Sequence, residues 1–79
     1  MAECELELFY FDQCPYCQIV LNHIQTHELP VTLRNTQTDP NNHVRLKAVG
    51  GKTQVPCLFI DGQPLYESHD IINWLTQHA

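Results

Sequence analysis

The 79-residue sequence predicts an α/β fold: a four-stranded mixed sheet with three helices, in the order β-α-β-α-β-β-α. Three observations carry that prediction. A strand-like run, Leu6-Glu7-Leu8-Phe9-Tyr10-Phe11, passes directly into Cys14-Pro15-Tyr16-Cys17, where a proline stands at a helix start. Asp39-Pro40 and Ser68 mark two further helix starts, as N-cap residues and as proline at a first helical position. Asp61-Gly62, set between two short apolar runs, is a two-residue hairpin turn.

Taken in order, the first strand covers about Glu5 to Phe11, its Glu residues alternating with Leu and Phe at period two. The helix from about Pro15 to His27 carries Ile19, Val20, Leu21 and Ile24 on an apolar stripe, and Leu29-Pro30 ends it. Val31-Thr32-Leu33 is a short second strand. After Asp39-Pro40 a short helix presents Val44, Leu46 and Val49 as its apolar positions, and Gly50-Gly51 closes it. Cys57 to Ile60 and Gln63 to Tyr66 form the hairpin. Ser68 is the expected N-cap of the last helix, with Ile71, Ile72 and Leu75 on its core face. The first three elements form a right-handed parallel unit, and the hairpin extends the same sheet with at least one antiparallel strand.

Residues 1–79 read as one domain near the lower size limit for a self-sufficient core, and 43% hydrophobic residues support a globular fold rather than disorder. The net charge of −5 argues against nucleic-acid binding. The four basic side chains (Arg34, Arg45, Lys47, Lys52) cluster mid-chain, where they form either a local anion-receiving region or a solvated helix face. No signal-like stretch opens the sequence and no run approaches the ~20 apolar residues of a membrane span. A soluble, reducing, cytoplasmic setting is the expectation, with no membrane partner. In that setting four cysteines do not suggest a disulfide framework; a CxxC beside a βαβ pattern suggests redox or metal chemistry.

The CxxC carries the chemistry. Cys14 at a helix N-terminus faces unpaired backbone N–H groups and the positive end of the helix dipole, which favour a thiolate. Cys17 lies one turn on, within reach of a disulfide formed at Cys14. An exposed nucleophile with a resolving thiol beside it is the layout of a thiol–disulfide exchange catalyst.

From Leu6 to Leu75 the chain resembles the glutaredoxin family. The matching marks are Cys14-Pro15-Tyr16-Cys17, Val55-Pro56 before an apolar strand, the Asp61-Gly62 turn and the Ser68-His69-Asp70 helix start. The resemblance implies a thioredoxin-like (glutaredoxin) fold and a cis peptide before Pro56. That bond would turn the Val55 backbone toward the thiols, to hold the cysteinyl unit of glutathione as a short added strand. Gln54-Val55-Pro56 with Glu67-Ser68 departs from small glutaredoxins. It looks more like the glutathione-transferase N-terminal domain and the larger transferase-like glutaredoxins, in which a Glu-Ser pair binds the γ-glutamyl group. On this resemblance glutathione is the co-substrate and Tyr16, Gln54, Val55, Pro56, Glu67 and Ser68 its binding residues. Gln54, Lys52 and the more distant Arg34 are the candidates for the glycyl carboxylate. Phe11 stands where many dithiol glutaredoxins carry a lysine, and Asp12 adds a negative charge, so the helix terminus is left as the obvious stabiliser of a Cys14 thiolate.

Cys4 reads as incidental and Cys57 as a small buried hydrophobe. The five histidines show no metal-ligand spacing relative to the CxxC, and no metal site is expected. Trp74 reads as a partly buried helix residue. The resemblance implies an enzyme, a monomer that reduces protein–glutathione mixed disulfides and protein disulfides through Cys14 as nucleophile and Cys17 as resolving thiol, in cell redox homeostasis. A glutathione-independent thioredoxin-like electron donor, a non-enzymatic iron–sulfur carrier and a detached transferase-like module are the alternatives.

Overall fold

The computed structural model describes residues 5–78. Its elements are β1 (Leu6–Tyr10), α1 (Pro15–Thr26), β2 (Thr32–Asn35), α2 (Pro40–Gly50), β3 (Cys57–Ile60), β4 (Gln63–Tyr66) and α3 (Ser68–His78). The sheet order is β2-β1-β3-β4. β1 runs parallel to β2, pairing Glu7 with Thr32 through Tyr10 with Asn35. It runs antiparallel to β3, which pairs antiparallel with β4. The predicted element order and mixed sheet are therefore those of the molecule, a thioredoxin-like α/β fold.

Alternation along the strands divides the core into two layers, one on each face of the sheet. Leu6, Leu8 and Leu58 point toward α1 and α3 and pack with Val20, Leu21, Ile24, Ile71 and Leu75. Phe9, Cys57 and Phe59 point the other way and meet Leu46 of α2. Phe9 and Phe59, from adjacent strands, pack with ring centroids 4.4 Å apart and their planes tilted by 41°.

Local chemistry sets the element ends. Cys14 is the N-cap of α1, and Pro15 occupies the first helical position. The helix stops before Pro30 rather than at it. The Leu29 N–H bonds the Ile24 carbonyl and the Glu28 N–H the Gln25 carbonyl, around a left-handed Glu28 with φ 50°. This is the Schellman termination, with a glutamate where glycine is usual. β2 begins one residue later than the apolar run predicts and continues to Asn35, because pairing with β1 carries it on. Asp39 caps α2 by accepting from the Asn41 N–H at 3.0 Å, and Gly51 ends it at φ 81°. The hairpin turn places Asp61 at φ 51° and Gly62 at φ 83°, the paired positive values of a type I′ turn. Asp61 also bonds back to Glu5 in both directions, fastening the hairpin tip to the start of β1.

Two expectations are corrected. Val44 and Val49 of α2 are 64% and 48% exposed, leaving Leu46 as the one fully buried apolar side chain of that helix. Beside it the seam with the sheet is ionic. Arg45 donates to both carboxylate oxygens of buried Glu7, at 2.5 and 2.6 Å, and its guanidinium lies 5.6 and 5.4 Å from the ring centres of Phe9 and Phe59. Ser68, expected as the N-cap of α3, is instead its first helical residue. The Glu67 carbonyl accepts the first helical bond, from the Ile71 N–H at 3.0 Å, and Glu67 itself is left-handed at φ 74°. Cys4 lies outside the described residues.

Candidate functional site

The two thiols of the CxxC meet different environments at the start of α1. Cys14 Sγ accepts from the Cys17 N–H at 3.4 Å, so its sulfur takes the position that an N-cap oxygen normally takes. A thiolate there gains both a backbone donor and the helix dipole. Cys14 is 9% exposed and Cys17 is fully buried. Cys14 is thus less open than the pattern predicts, but it is the more open of the pair. Burial pushes the Cys17 thiol up to about 12, and the adjacent Cys14 adds to the rise. Asp12, just before the helix start, is tied to its neighbours. Its carbonyl accepts from the Gln18 amide at 2.9 Å and its carboxylate from the Asn35 amide at 3.5 Å.

A cavity of about 410 Å³ opens beside this helix start, lined by Tyr16, Gln54, Val55, Pro56, Glu67 and Ser68. The six lie far apart in sequence, and three turns bring them together. Tyr16 comes from the first turn of α1, where it is 63% exposed. Gln54, Val55 and Pro56 come from the loop entering β3, where the Val55–Pro56 peptide is cis, as the resemblance implies. Glu67 and Ser68 come from the left-handed corner between β4 and α3. The Gln54 amide donates to the Glu67 carboxylate at 3.0 Å, joining two walls of the cavity. The lining presents a carboxylate, a serine, an amide and a phenol around an apolar floor of Val55 and Pro56. The N-terminus of α3, with its unpaired N–H groups, faces the corner that Ser68 occupies. Such a set can receive a ligand carrying both a carboxylate and an ammonium group.

Behind the lining stand residues that motif reading does not reach. Cys57 and Tyr66 are cross-strand partners, each next to a wall residue. Cys57 is fully buried, and burial raises its thiol to about 11. The Tyr66 hydroxyl is buried under α2, where a Cβ on Gly50 would collide with it, and the Lys52 ammonium lies 4.4 Å from the Tyr66 ring centre. Gly50 therefore serves a close approach as well as a helix end, and the signal for it is only that Tyr66 precedes Glu67.

The mid-chain basic residues do not form one anion-receiving region. Arg34 and Arg45 both bind Glu7, which is 3% exposed, and together they hold its carboxyl below the usual range. Arg34 is thereby engaged on the α2 side of the sheet, Gln54 is turned to Glu67, and Lys52 lies over Tyr66. Among the described residues no group of three or more His, Cys, Asp or Glu side chains is arranged to hold a metal ion, and no helix is long and apolar enough to cross a membrane.

The sequence model of the glutathione S-transferase N-terminal domain matches residues 8–79. No curated protein sequence matches the chain significantly. Among solved structures, the thioredoxin-like protein BC3987 is similar at TM-score 0.80 and 21% identity, over 95% of this chain and 100% of that one. Glutaredoxin 2 from Salmonella typhimurium, solved in complex with glutathione, is similar at TM-score 0.75 and 27% identity, over 92% of this chain and 33% of that one. Glutathione transferase Omega 3C from Trametes versicolor is similar at TM-score 0.78 and 20% identity, over 99% and 37%. The chain thus spans the whole of one neighbour and about a third of the other two.

Proposed function

The chain belongs to the glutathione S-transferase N-terminal domain family, and from that premise we propose that it is a glutathione-dependent thiol–disulfide oxidoreductase. The observation that carries the reading is the juxtaposition at one end of α1. A thiol caps the helix with its sulfur on a backbone N–H, a second thiol lies buried one turn on, and a cavity lined by Tyr16, Gln54, Val55, Pro56, Glu67 and Ser68 opens beside them.

In this reading the cavity holds glutathione. Glu67 pairs with its α-ammonium, and Ser68 with the α3 N-terminus receives its α-carboxylate. The Val55 backbone holds its cysteinyl unit beside Cys14. The Cys14 thiolate attacks the glutathione sulfur of a protein–glutathione disulfide. A Cys14–glutathione disulfide forms and the protein leaves as a thiolate, which takes a proton from water. The thiolate of a second glutathione then attacks the bound glutathione sulfur, releasing Cys14 thiolate and oxidised glutathione. When the substrate is a protein disulfide, Cys17 loses its proton and displaces the protein from Cys14, closing Cys14–Cys17. The raised Cys17 thiol suits that order, since it stays protonated until it is called on to displace the protein. A cytoplasmic setting, with glutathione abundant and disulfides reduced, is part of the same proposal.

The test is reduction of a small glutathione mixed disulfide, coupled through glutathione reductase to NADPH consumption, run on wild type and Glu67→Gln. Glu67 is solvent-exposed, so losing one charge-assisted hydrogen bond costs at the lower end of roughly 1.5–3 kcal/mol, about tenfold in activity. Exchange with a small disulfide lacking a glutamyl group should hardly change. Equal losses on both substrates would show that Glu67 serves the fold or the thiols, and the glutathione site would have to be abandoned.

A further inference from the structure

Each side chain expected to receive the glycyl carboxylate of glutathione is held elsewhere, and this bears on which part of the ligand the cavity reads. Arg34, with Arg45, grips the carboxylate of Glu7, which is 3% exposed, and withdrawing either arginine would weaken the pairing of a buried charge. The Lys52 ammonium lies over the Tyr66 ring, 4.4 Å from its centre. Half-buried Gln54 turns its amide to Glu67, donating from Nε2 to Oε2 at 3.0 Å. Lys47 is exposed in the last turn of α2 and takes no part in the lining. Among the described residues, none that lines the cavity carries a positive charge.

The polar groups that do face the cavity gather at one corner. Glu67 and Ser68 stand at the left-handed turn into α3. Gln54 engages one oxygen of the Glu67 carboxylate, and Oε1 is left to a ligand's ammonium group. Beside them the Val55 backbone offers an edge to an extended cysteinyl unit. These groups match the γ-glutamyl and cysteinyl parts of glutathione. The glycyl carboxylate, by contrast, meets only neutral donors and solvent, on a chain whose net charge of −5 does not draw an anion in.

On the reading that this cavity binds glutathione, we infer that it recognises the γ-glutamylcysteinyl unit and does not read the glycyl carboxylate. Its substrate class is then γ-glutamylcysteinyl disulfides in general, whether glycine, a neutral amide or a longer peptide follows the cysteine carbonyl. Gln54 serves the γ-glutamyl end, by holding Glu67, and not the glycyl end.

Three mixed disulfides of nitrothiobenzoate test this: with glutathione, with glutathione amide (the glycyl carboxylate replaced by a carboxamide) and with cysteinylglycine, which lacks the γ-glutamyl group. The Cys14 thiolate attacks the cysteinyl sulfur, a disulfide to Cys14 forms and the coloured nitrothiobenzoate thiolate leaves, so a single turnover of the reduced protein is read directly. Each rate is divided by that of the same compound with dithiothreitol, and Cys14→Ser sets the background. Glutathione and its amide should react within about fivefold of each other, the most that an exposed ion pair ordinarily contributes. Cysteinylglycine should be slower by about tenfold or more, having lost the charge-assisted contacts at Glu67 and Ser68. Lys52→Met and Gln54→Ala should leave the ratio of glutathione to amide unchanged. A preference for glutathione over its amide beyond fivefold, or one that collapses in Lys52→Met or Gln54→Ala, would overturn the inference while leaving the glutathione reading intact. Cysteinylglycine reacting as fast as the other two would instead defeat the glutathione reading itself.

Discussion

Cys14 keeps a narrow opening to solvent and a backbone N–H on its sulfur, while Cys17 and Cys57 are enclosed. Burial raises the Cys17 and Cys57 thiols to about 12 and about 11, so both are protonated throughout the neutral range. Limiting iodoacetamide near pH 7.5 should therefore label Cys14 ahead of Cys17 and Cys57; mapping the adducts by peptide mass spectrometry checks this, and labelling of Cys17 ahead of Cys14 would reverse the two roles. The same burial has a consequence for stability. In the unfolded chain both thiols ionise near their ordinary value of 9.0, whereas in the folded chain they hold their protons well above it. The folded state binds more protons between those limits, so stability is intact below about pH 9 and falls as pH rises toward 11–12. The slope is up to about 1.4 kcal/mol per pH unit for each thiol. Urea unfolding at pH 8 and pH 10.5 tests the sign, and replacing Cys57 by Val should remove part of the decline.

Helix α2 is the element whose attachment the hydrophobic pattern misjudges. Its spacing presents Val44, Leu46 and Val49 as an apolar set, but only Leu46 reaches the core. The rest of the attachment is the Glu7 carboxylate gripped by Arg45 from α2 and Arg34 from β2, the Asn42 amide donating to the Asn35 carbonyl at 3.0 Å, and Tyr66 packed under Gly50. Period-two alternation correctly puts Glu7 on the face opposite Leu6 and Leu8. It does not say that this face is also covered, since a strand buried on both sides with one charge in it reads like a half-exposed strand. What identifies the pairing is contact between residues 27 and 38 positions apart, which no local pattern carries. Glu7→Gln should destabilise the domain by about 1–3 kcal/mol, a range kept modest because the arginines remain about 40% exposed and can rehydrate. The carboxyl is held below 4.5, first by the Arg45 hydrogen bonds, so its contribution is present above that pH and is lost as pH falls through the lowered folded value. Thermal melts of wild type and Glu7→Gln from pH 7 down to pH 3 should converge; parallel curves would mean that Glu7 titrates no differently on folding.

Across the whole molecule, the element order and the mixed sheet were legible in residues with strong backbone preferences, whereas the residues that line the cavity were singled out by the family resemblance. Proline at two helix starts, Asp-Gly at the hairpin and Val-Pro before β3 mark the element boundaries, while the sheet order β2-β1-β3-β4 is set by pairing between strands distant in sequence. Tyr16, Gln54, Val55, Pro56, Glu67 and Ser68 flank those same corners, which is why turns distant in sequence converge on one cavity. The Ser68 offset and the close approach of Tyr66 to Gly50 were not legible, because they depend on a left-handed residue without glycine and on packing between elements. The family to which the chain belongs takes its name from transferases, and this bears on which glutathione chemistry the fold performs. A conjugating enzyme must stabilise the thiolate of glutathione itself beside an electrophile. Here the helix-capping group is itself a thiol; in the proposed exchange it attacks the glutathione sulfur of a mixed disulfide, forming a Cys14–glutathione disulfide as the other thiolate leaves, and a second buried thiol lies one turn away. The 79-residue chain should therefore reduce a glutathione mixed disulfide and show no conjugation of glutathione to chlorodinitrobenzene above the uncatalysed rate. Cys14→Ser should abolish the first activity, and Cys17→Ser should keep it while losing protein-disulfide reduction. Conjugation by wild type that survives Cys14→Ser would assign the cavity to transfer rather than to exchange, since only exchange requires a covalent bond at that sulfur.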